Sequence, residues 1–161
     1  MRPTWEGEWC IAYKSVTAPS NMRTMIAAIV PQCGVGNSMA MLLPKPGHED
    51  SYPRWAALLL ANLSSMAFDF ALRQKVQGQN LNWFIVEQAA VIAPERFNEP
   101  LPTAFASAMR AARLMNGHHP QPTVADFVLP QVLALSYTAH DLAPFARDLG
   151  YVDATGQVLE P

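Results

Sequence analysis

At 161 residues, 50% hydrophobic and 15% charged, the chain has the apolar content of a single globular domain with a substantial core, and this is not the composition of a disordered chain. The formal net charge of −2 excludes a protein that holds a polyanion by bulk charge alone. No run of about 18 uninterrupted apolar residues is present and MRPTWEGEW has no apolar secretory core, so the expectation is a cytoplasmic chain with no membrane contact.

In chain order, Glu8 to Val16 alternates weakly and is rich in Trp, Ile, Tyr and Val, which predicts a strand. Thr17 to Met22, with Pro19, Ser20 and Asn21, is a turn. Arg23 to Val30 predicts a second strand that Pro31 stops, and Gly34 and Gly36 frame a bend before a third, Ser38 to Leu43. The prolines and glycine of PKPGHEDSYP make the next segment a loop.

From Arg54 to Lys75 the apolar positions support one long helix, with Ser51 as a capping group and Arg73 and Lys75 in the last turn, where cations complement the dipole. Gly78 ends it, and Trp83 to Ala93 reads as a fourth strand before Pro94. Leu101 to Met115 predicts a helix closed by Asn116-Gly117. The next starts at Thr123 or Asp126, with Pro130 tolerable only in its first turn, and Asp141 caps a short last helix that Gly150 ends. The expected fold is therefore one α+β domain over residues 1–161. Its strand-rich part, residues 1–50, forms a mixed twisted sheet packed on the long helix, and residues 95–161 supply helices that buttress it.

The two cysteines, Cys10 and Cys33, sit in apolar strand-like contexts and read as buried free thiols, with a structural disulfide as the alternative. His118 and His119 are adjacent and no further ligand lies at metal spacing, so no metal is expected. Asp69, the one acid within the long helix, is expected to face solvent or to be hydrogen-bonded. Neither a Gly-x-Ser-x-Gly nor a phosphate-cradling Gly-x-x-x-x-Gly-Lys occurs, and the carboxylates are scattered, which points away from catalysis.

Charge is distributed unevenly: residues 1–86 hold seven Lys or Arg against five acids, and residues 87–161 hold four against eight. No carboxylate occurs between Glu8 and Glu49 or between Asp69 and Glu87. Within the second of these gaps, Arg73, Gln74, Lys75, Gln77, Gly78, Gln79, Asn80 and Asn82 form a basic, amide-rich turn. Guanidinium and ammonium groups suit phosphates, and amides suit base edges, Asn and Gln pairing with adenine. Lys14, Thr17, Ser20, Asn21, Arg23 and Thr24 offer a second such set around the loop before the second strand. Arg23, Arg73 and Lys75 are the candidate phosphate contacts, and Gln77, Gln79 and Asn80 the candidate base readers. The competing reading of the turn is a helix end whose cations only answer the dipole.

The strings RTMIAAIVP, GVGNSMAMLLP, ALLLANLSSMAFDFALRQKVQGQNLNWFIVEQAAVIAP and LALSYTAHDLAPFARDLGY resemble the C-terminal TaqI-like target-recognition domain of type IIG restriction-modification adenine-N6 DNA methyltransferases. The similarity spans roughly Trp9 to Tyr151 and is most specific from Ala71 to Phe84. It implies a DNA sequence-recognition module that binds double-stranded DNA and serves a methyltransferase catalytic domain in the same or another chain. The Asn-Pro-Pro-Tyr/Phe methylase signature and the loop for S-adenosylmethionine are both absent here. The resemblance thus implies no catalysis and no cofactor on this chain itself, with S-adenosylmethionine held by the separate domain. The alternative is a protein-interaction or structural module that docks on a methyltransferase core or self-associates.

Overall fold

The computed structural model describes residues 5–111 and 121–161. Three strands, β1 (Trp9–Lys14), β2 (Ala27–Pro31) and β3 (Met39–Leu42), form a sheet in the order β2-β1-β3. Both pairings are antiparallel, with Ile11 opposite Ile29 on one side and opposite Leu42 on the other. The architecture is α+β, but the sheet is antiparallel throughout its described strands rather than mixed. The segment expected to add a fourth strand is helical.

That segment forms α3 (Trp83–Glu87), and residues 88–93 have no regular structure. A short apolar run carries no period that separates strand from helix. Here Ile85 and Val86 half-bury against the core while Trp83 and Phe84 stand exposed, a two-in, two-out pattern that a single helical turn satisfies.

The long helix is also divided, into α1 (Tyr52–Ser64) and α2 (Met66–Arg73), bent by 65° at Ser65. Ser65 adopts extended geometry, φ −69° and ψ 147°, and its hydroxyl accepts from Phe68 N at 3.1 Å, so it caps a new helix instead of continuing the old one. Serine competes with the helix through this bond, which is why a Ser-Ser pair breaks a span that apolar spacing alone would continue. Ser51, by contrast, makes no capping bond and donates its hydroxyl to His48 O.

The chain continues through a 3₁₀ turn, Pro94–Asn98, to α4 (Thr103–Ala111), α5 (Val124–Ser136), a 3₁₀ turn at His140–Leu142 and α6 (Ala143–Asp148). The expected end of α4 at Asn116-Gly117 and the His118-His119 pair lie outside the described residues. Thr123 begins α5 with a full capping box: its hydroxyl accepts from Asp126 N, and the Asp126 carboxylate accepts from Thr123 N at 2.8 Å. Pro130 stands in the interior of α5 rather than in its first turn. Gly150, at φ +79°, ends α6 in the left-handed region that its lack of a Cβ permits.

One face of the sheet, with Trp9, Ile11, Tyr13 and Ile29, packs on α1, α5 and α6 around Leu60, Leu63, Val132 and Phe145. Trp9 stacks on Tyr52 and meets Phe145 edge to face at 4.9 Å, and its indole N–H donates to Asp148 Oδ2 at 2.8 Å. The first strand is thereby tied to the last helix. Cys10 is buried, as expected; Cys33 is exposed because it lies past the Pro31 that ends β2, and both are free thiols.

The Tyr52 hydroxyl stands between two backbone groups on register partners in β1 and β3. It accepts from Ile11 N at 3.1 Å and donates to Leu42 O at 2.6 Å. Burial pushes its phenol well above the ordinary tyrosine value. Tyr52→Phe keeps the ring and orphans both backbone groups, so we expect a loss of about 1–3 kcal/mol in urea unfolding.

Among the described residues no single helix is long and apolar enough to cross a membrane; α1 and α2 meet that length only as a bent pair.

Candidate nucleic-acid interface

Two carboxylate-free loops meet at the end of β1. Thr17 N donates to Gln79 O at 2.9 Å, Leu81 N donates to Ser15 O at 2.7 Å, and Val16 bridges Asn80. Leu81, fully buried, and Val76 anchor the turn in the core beneath. The two segments that hold the candidate side chains, residues 14–24 and 73–82, are thus joined through Ser15, Val16 and Thr17 on one side and Gln79, Asn80 and Leu81 on the other. Lys14, Asn21, Gln74, Lys75, Gln77, Gln79, Asn80 and Asn82 are all exposed.

Four candidates are buried or tied to Asp69. Thr24 is 0% exposed and Thr17 is 3% exposed, so neither is presented to a ligand on this surface. The Thr17 hydroxyl accepts from Asn21 Nδ2 at 3.3 Å, which makes it a brace for the loop. Arg23 and Arg73 converge on Asp69. Arg73 Nη2 lies 3.1 Å from Asp69 Oδ2 and donates to Met22 O at 2.8 Å. Arg23 Nε lies 3.6 Å from Asp69 Oδ1, while its Nη2 donates to Ser64 O at 2.7 Å. Both guanidiniums are committed to the fold, with about a third of each side chain still exposed.

Asp69 organises this region. Of its two expected placements the hydrogen-bonded one holds: it is buried, and its Oδ1 accepts from the backbone N–H groups of Thr24 and Met25 at 2.8 and 2.7 Å. This explains why β2 begins at Ala27 and not at Arg23: the amides of residues 24 and 25 are satisfied by a side chain instead of a neighbouring strand. Burial pushes the Asp69 carboxyl up. The amides of Met25 and Thr24, then Arg73 and Arg23, outweigh that and hold it below the ordinary carboxylate range. Two buried polar atoms beside it, Arg23 Nε and Thr24 Oγ1, have no hydrogen-bond partner among the described residues.

Lys75 lies just past α2 and donates to Gln88 O at 2.7 Å on the open surface, a bond that water or a phosphate exchanges readily. Lys14 stands on the outer face of the sheet with Cys10 and Ala12, opposite Met39 in β3. The four cations expected to form one set are therefore split: Arg23 and Arg73 flank Asp69, and Lys14 and Lys75 stand apart from them.

Below the turn a cleft of about 540 Å³ opens between β1, the bend before β3 and the start of α3. Asn37, Ser38, Asn80 and Asn82 line it together with Trp83 and Tyr13, and no charged side chain does. Trp83, expected on a strand, is instead the first residue of a short helix and sits at this cleft, 52% exposed. Among the described residues no three His, Cys, Asp or Glu side chains are grouped to hold a metal ion. No protein-family model matches the chain, and no curated protein or solved structure matches it either.

Proposed function

We propose that this chain is a non-catalytic DNA-recognition module that directs a restriction-modification type methyltransferase domain, carried in the same or another chain, to its target. The observation that supports this most is the stitching of two carboxylate-free loops by backbone hydrogen bonds. The joined segments carry exposed Lys14 and Lys75 for phosphates and exposed Gln77, Gln79, Asn80 and Asn82 for base edges. Arg23 and Arg73 have a supporting role in this reading. Through Asp69 they fix the loop and the end of α2, and their exposed edges add positive potential. S-adenosylmethionine belongs to the partner domain, and the modified base is chosen there.

The paired substitution Lys14→Ala with Lys75→Ala tests the phosphate assignment without touching the Asp69 cluster. We expect weaker duplex binding and a log-log salt dependence shallower by roughly two, at about 0.9 for each phosphate no longer neutralised. An unchanged slope removes both lysines from the interface.

A protein-docking role is favoured by one observation of its own. An apolar groove of about 450 Å³ runs between β2, α1 and α5, lined by Ala28, Leu60, Phe127 and Val132, with Leu135 82% exposed at its edge. In the proposed arrangement this face serves the catalytic domain, leaving the amide-rich surface to DNA. Charge substitution at Leu135 then leaves duplex affinity unchanged.

A further inference from the structure

The cleft beneath the basic turn shares Asn80 and Asn82 with the amide-rich surface and adds Tyr13, Asn37, Ser38 and Trp83, which contacts to duplex phosphates and groove edges leave unused. Tyr13 is only 2% exposed and forms part of its lining, yet its hydroxyl has no hydrogen-bond partner among the described residues. That hydroxyl is also not among the sealed polar atoms, which are Arg23 Nε and Thr24 Oγ1, so the small exposed part of Tyr13 includes it. The side chains of Asn37, Ser38, Asn80 and Asn82 make no hydrogen bond among the described residues either. A buried hydroxyl such as that of Tyr13 is ordinarily paired. Around it the exposed side chains of Asn37, Ser38, Asn80 and Asn82, from two separate segments, present donors and acceptors to one space, with the exposed indole of Trp83 beside them.

We propose that this cleft binds an unpaired nucleobase of single-stranded DNA, stacked on Trp83 and hydrogen-bonded along its edge by Asn37, Asn80 and Asn82. The amide side chain offers a donor and an acceptor together, the complement of a base edge, and an aromatic face accepts any base by stacking. The absence of charge in the lining suits a neutral ring. The segments that build the cleft carry no carboxylate from Trp9 to His48 or from Phe70 to Val86, so they do not repel the phosphates to which the base is attached. A sugar shares the preference for an aromatic platform but lacks the planar edge that paired amides read.

The proposal rests on the nucleic-acid reading of this surface, and the test separates the two. The full chain, ¹⁵N-labelled, is titrated with a ten-nucleotide adenine single strand, with a ten-base-pair duplex and with maltose, following the side-chain amides of Asn37, Asn80 and Asn82 and the indole N–H of Trp83. The single strand is expected to shift all four. Trp83→Ala, a surface change, is expected to weaken single-strand binding roughly 5- to 160-fold, the range for loss of one stacked base. Asn80→Ala, which keeps the stack, should weaken it less. Binding of either nucleic acid with the four resonances unmoved overturns the cleft assignment and leaves DNA recognition standing. Shifts with maltose and none with the single strand reassign the cleft to a sugar and overturn the proposal. Failure of both nucleic acids to bind overturns the proposal and the functional reading together.

Discussion

Asp69→Ala is expected to destabilise the protein by about 2–4 kcal/mol, most of it from two buried backbone N–H groups left without an acceptor, since solvent screens the two guanidiniums, each about a third exposed. Three kinds of contact end on this carboxylate: the backbone amides of Thr24 and Met25, the guanidinium of Arg73 and that of Arg23. Truncation leaves two buried N–H groups with no acceptor and two guanidiniums facing one another without the charge that holds them together. Urea unfolding measures the loss, and Asp69→Asn, which keeps an acceptor for the amides, should recover part of it. A destabilisation below about 1 kcal/mol would show that the cluster is solvated and contributes little.

The same residue sets a pH dependence. The folded-state carboxyl lies below the ordinary value, so the unfolded chain binds its proton more readily. Its contribution is complete above the ordinary aspartate pKa of about 3.9 and is lost as pH falls through the depressed folded value. The wild-type protein should therefore lose stability more steeply than Asp69→Ala on acidification below about pH 4. Parallel curves for the two proteins would contradict this.

Trp9→Ala has the second large effect, an expected loss of about 3–5 kcal/mol. Trp9 is 1% exposed and lies among Trp5, Tyr52 and Phe145, so truncation removes a large apolar body and also the hydrogen bond to Asp148, whose carboxylate keeps its ion pair with Arg147. Trp9→Phe restores most of the packing without the N–H and should cost less than half as much. Equal losses for the two variants would assign the whole effect to the hydrogen bond. The distinction matters because this contact joins the first strand to α6 and so braces the sheet from which the loops of the candidate interface extend.

The first two strands are legible in the sequence because each is a short run with β-branched or aromatic residues, closed by a proline- or glycine-containing segment, whereas β3, Met-Ala-Met-Leu, is legible only from the Gly34–Gly36 bend before it and the proline loop after it. The capping box at Thr123 and the Gly150 terminator are legible for the same local reason. What is not legible depends on tertiary partners. Ser65 breaks a helix that apolar spacing supports, and Trp83–Glu87 is a helical turn because only Ile85 and Val86 have a core to meet. Arg23 and Arg73 look free for phosphate in the sequence because their common acceptor, Asp69, lies 46 and 4 positions away and is buried beneath the distant Thr24–Met25 backbone. The amide-rich turn is visible as composition. Its pairing with Ser15 and Thr17 and the cleft beneath it emerge only when the loops are stitched by backbone hydrogen bonds. A signal for Asp69 is present: a lone acid on an apolar helix, four residues from an arginine, is a buried ion-pair pattern.

The most direct test of DNA recognition is fluorescence anisotropy of a labelled random-sequence duplex titrated with the full chain at about 50 and about 200 mM salt. Binding at the lower salt, weakened roughly 10- to 100-fold at the higher as two to four phosphate contacts are screened, is the expected result. Absence of binding at 50 mM, or an affinity indifferent to salt, would contradict the account and assign the apolar groove, not the amide-rich surface, as the working face of the protein.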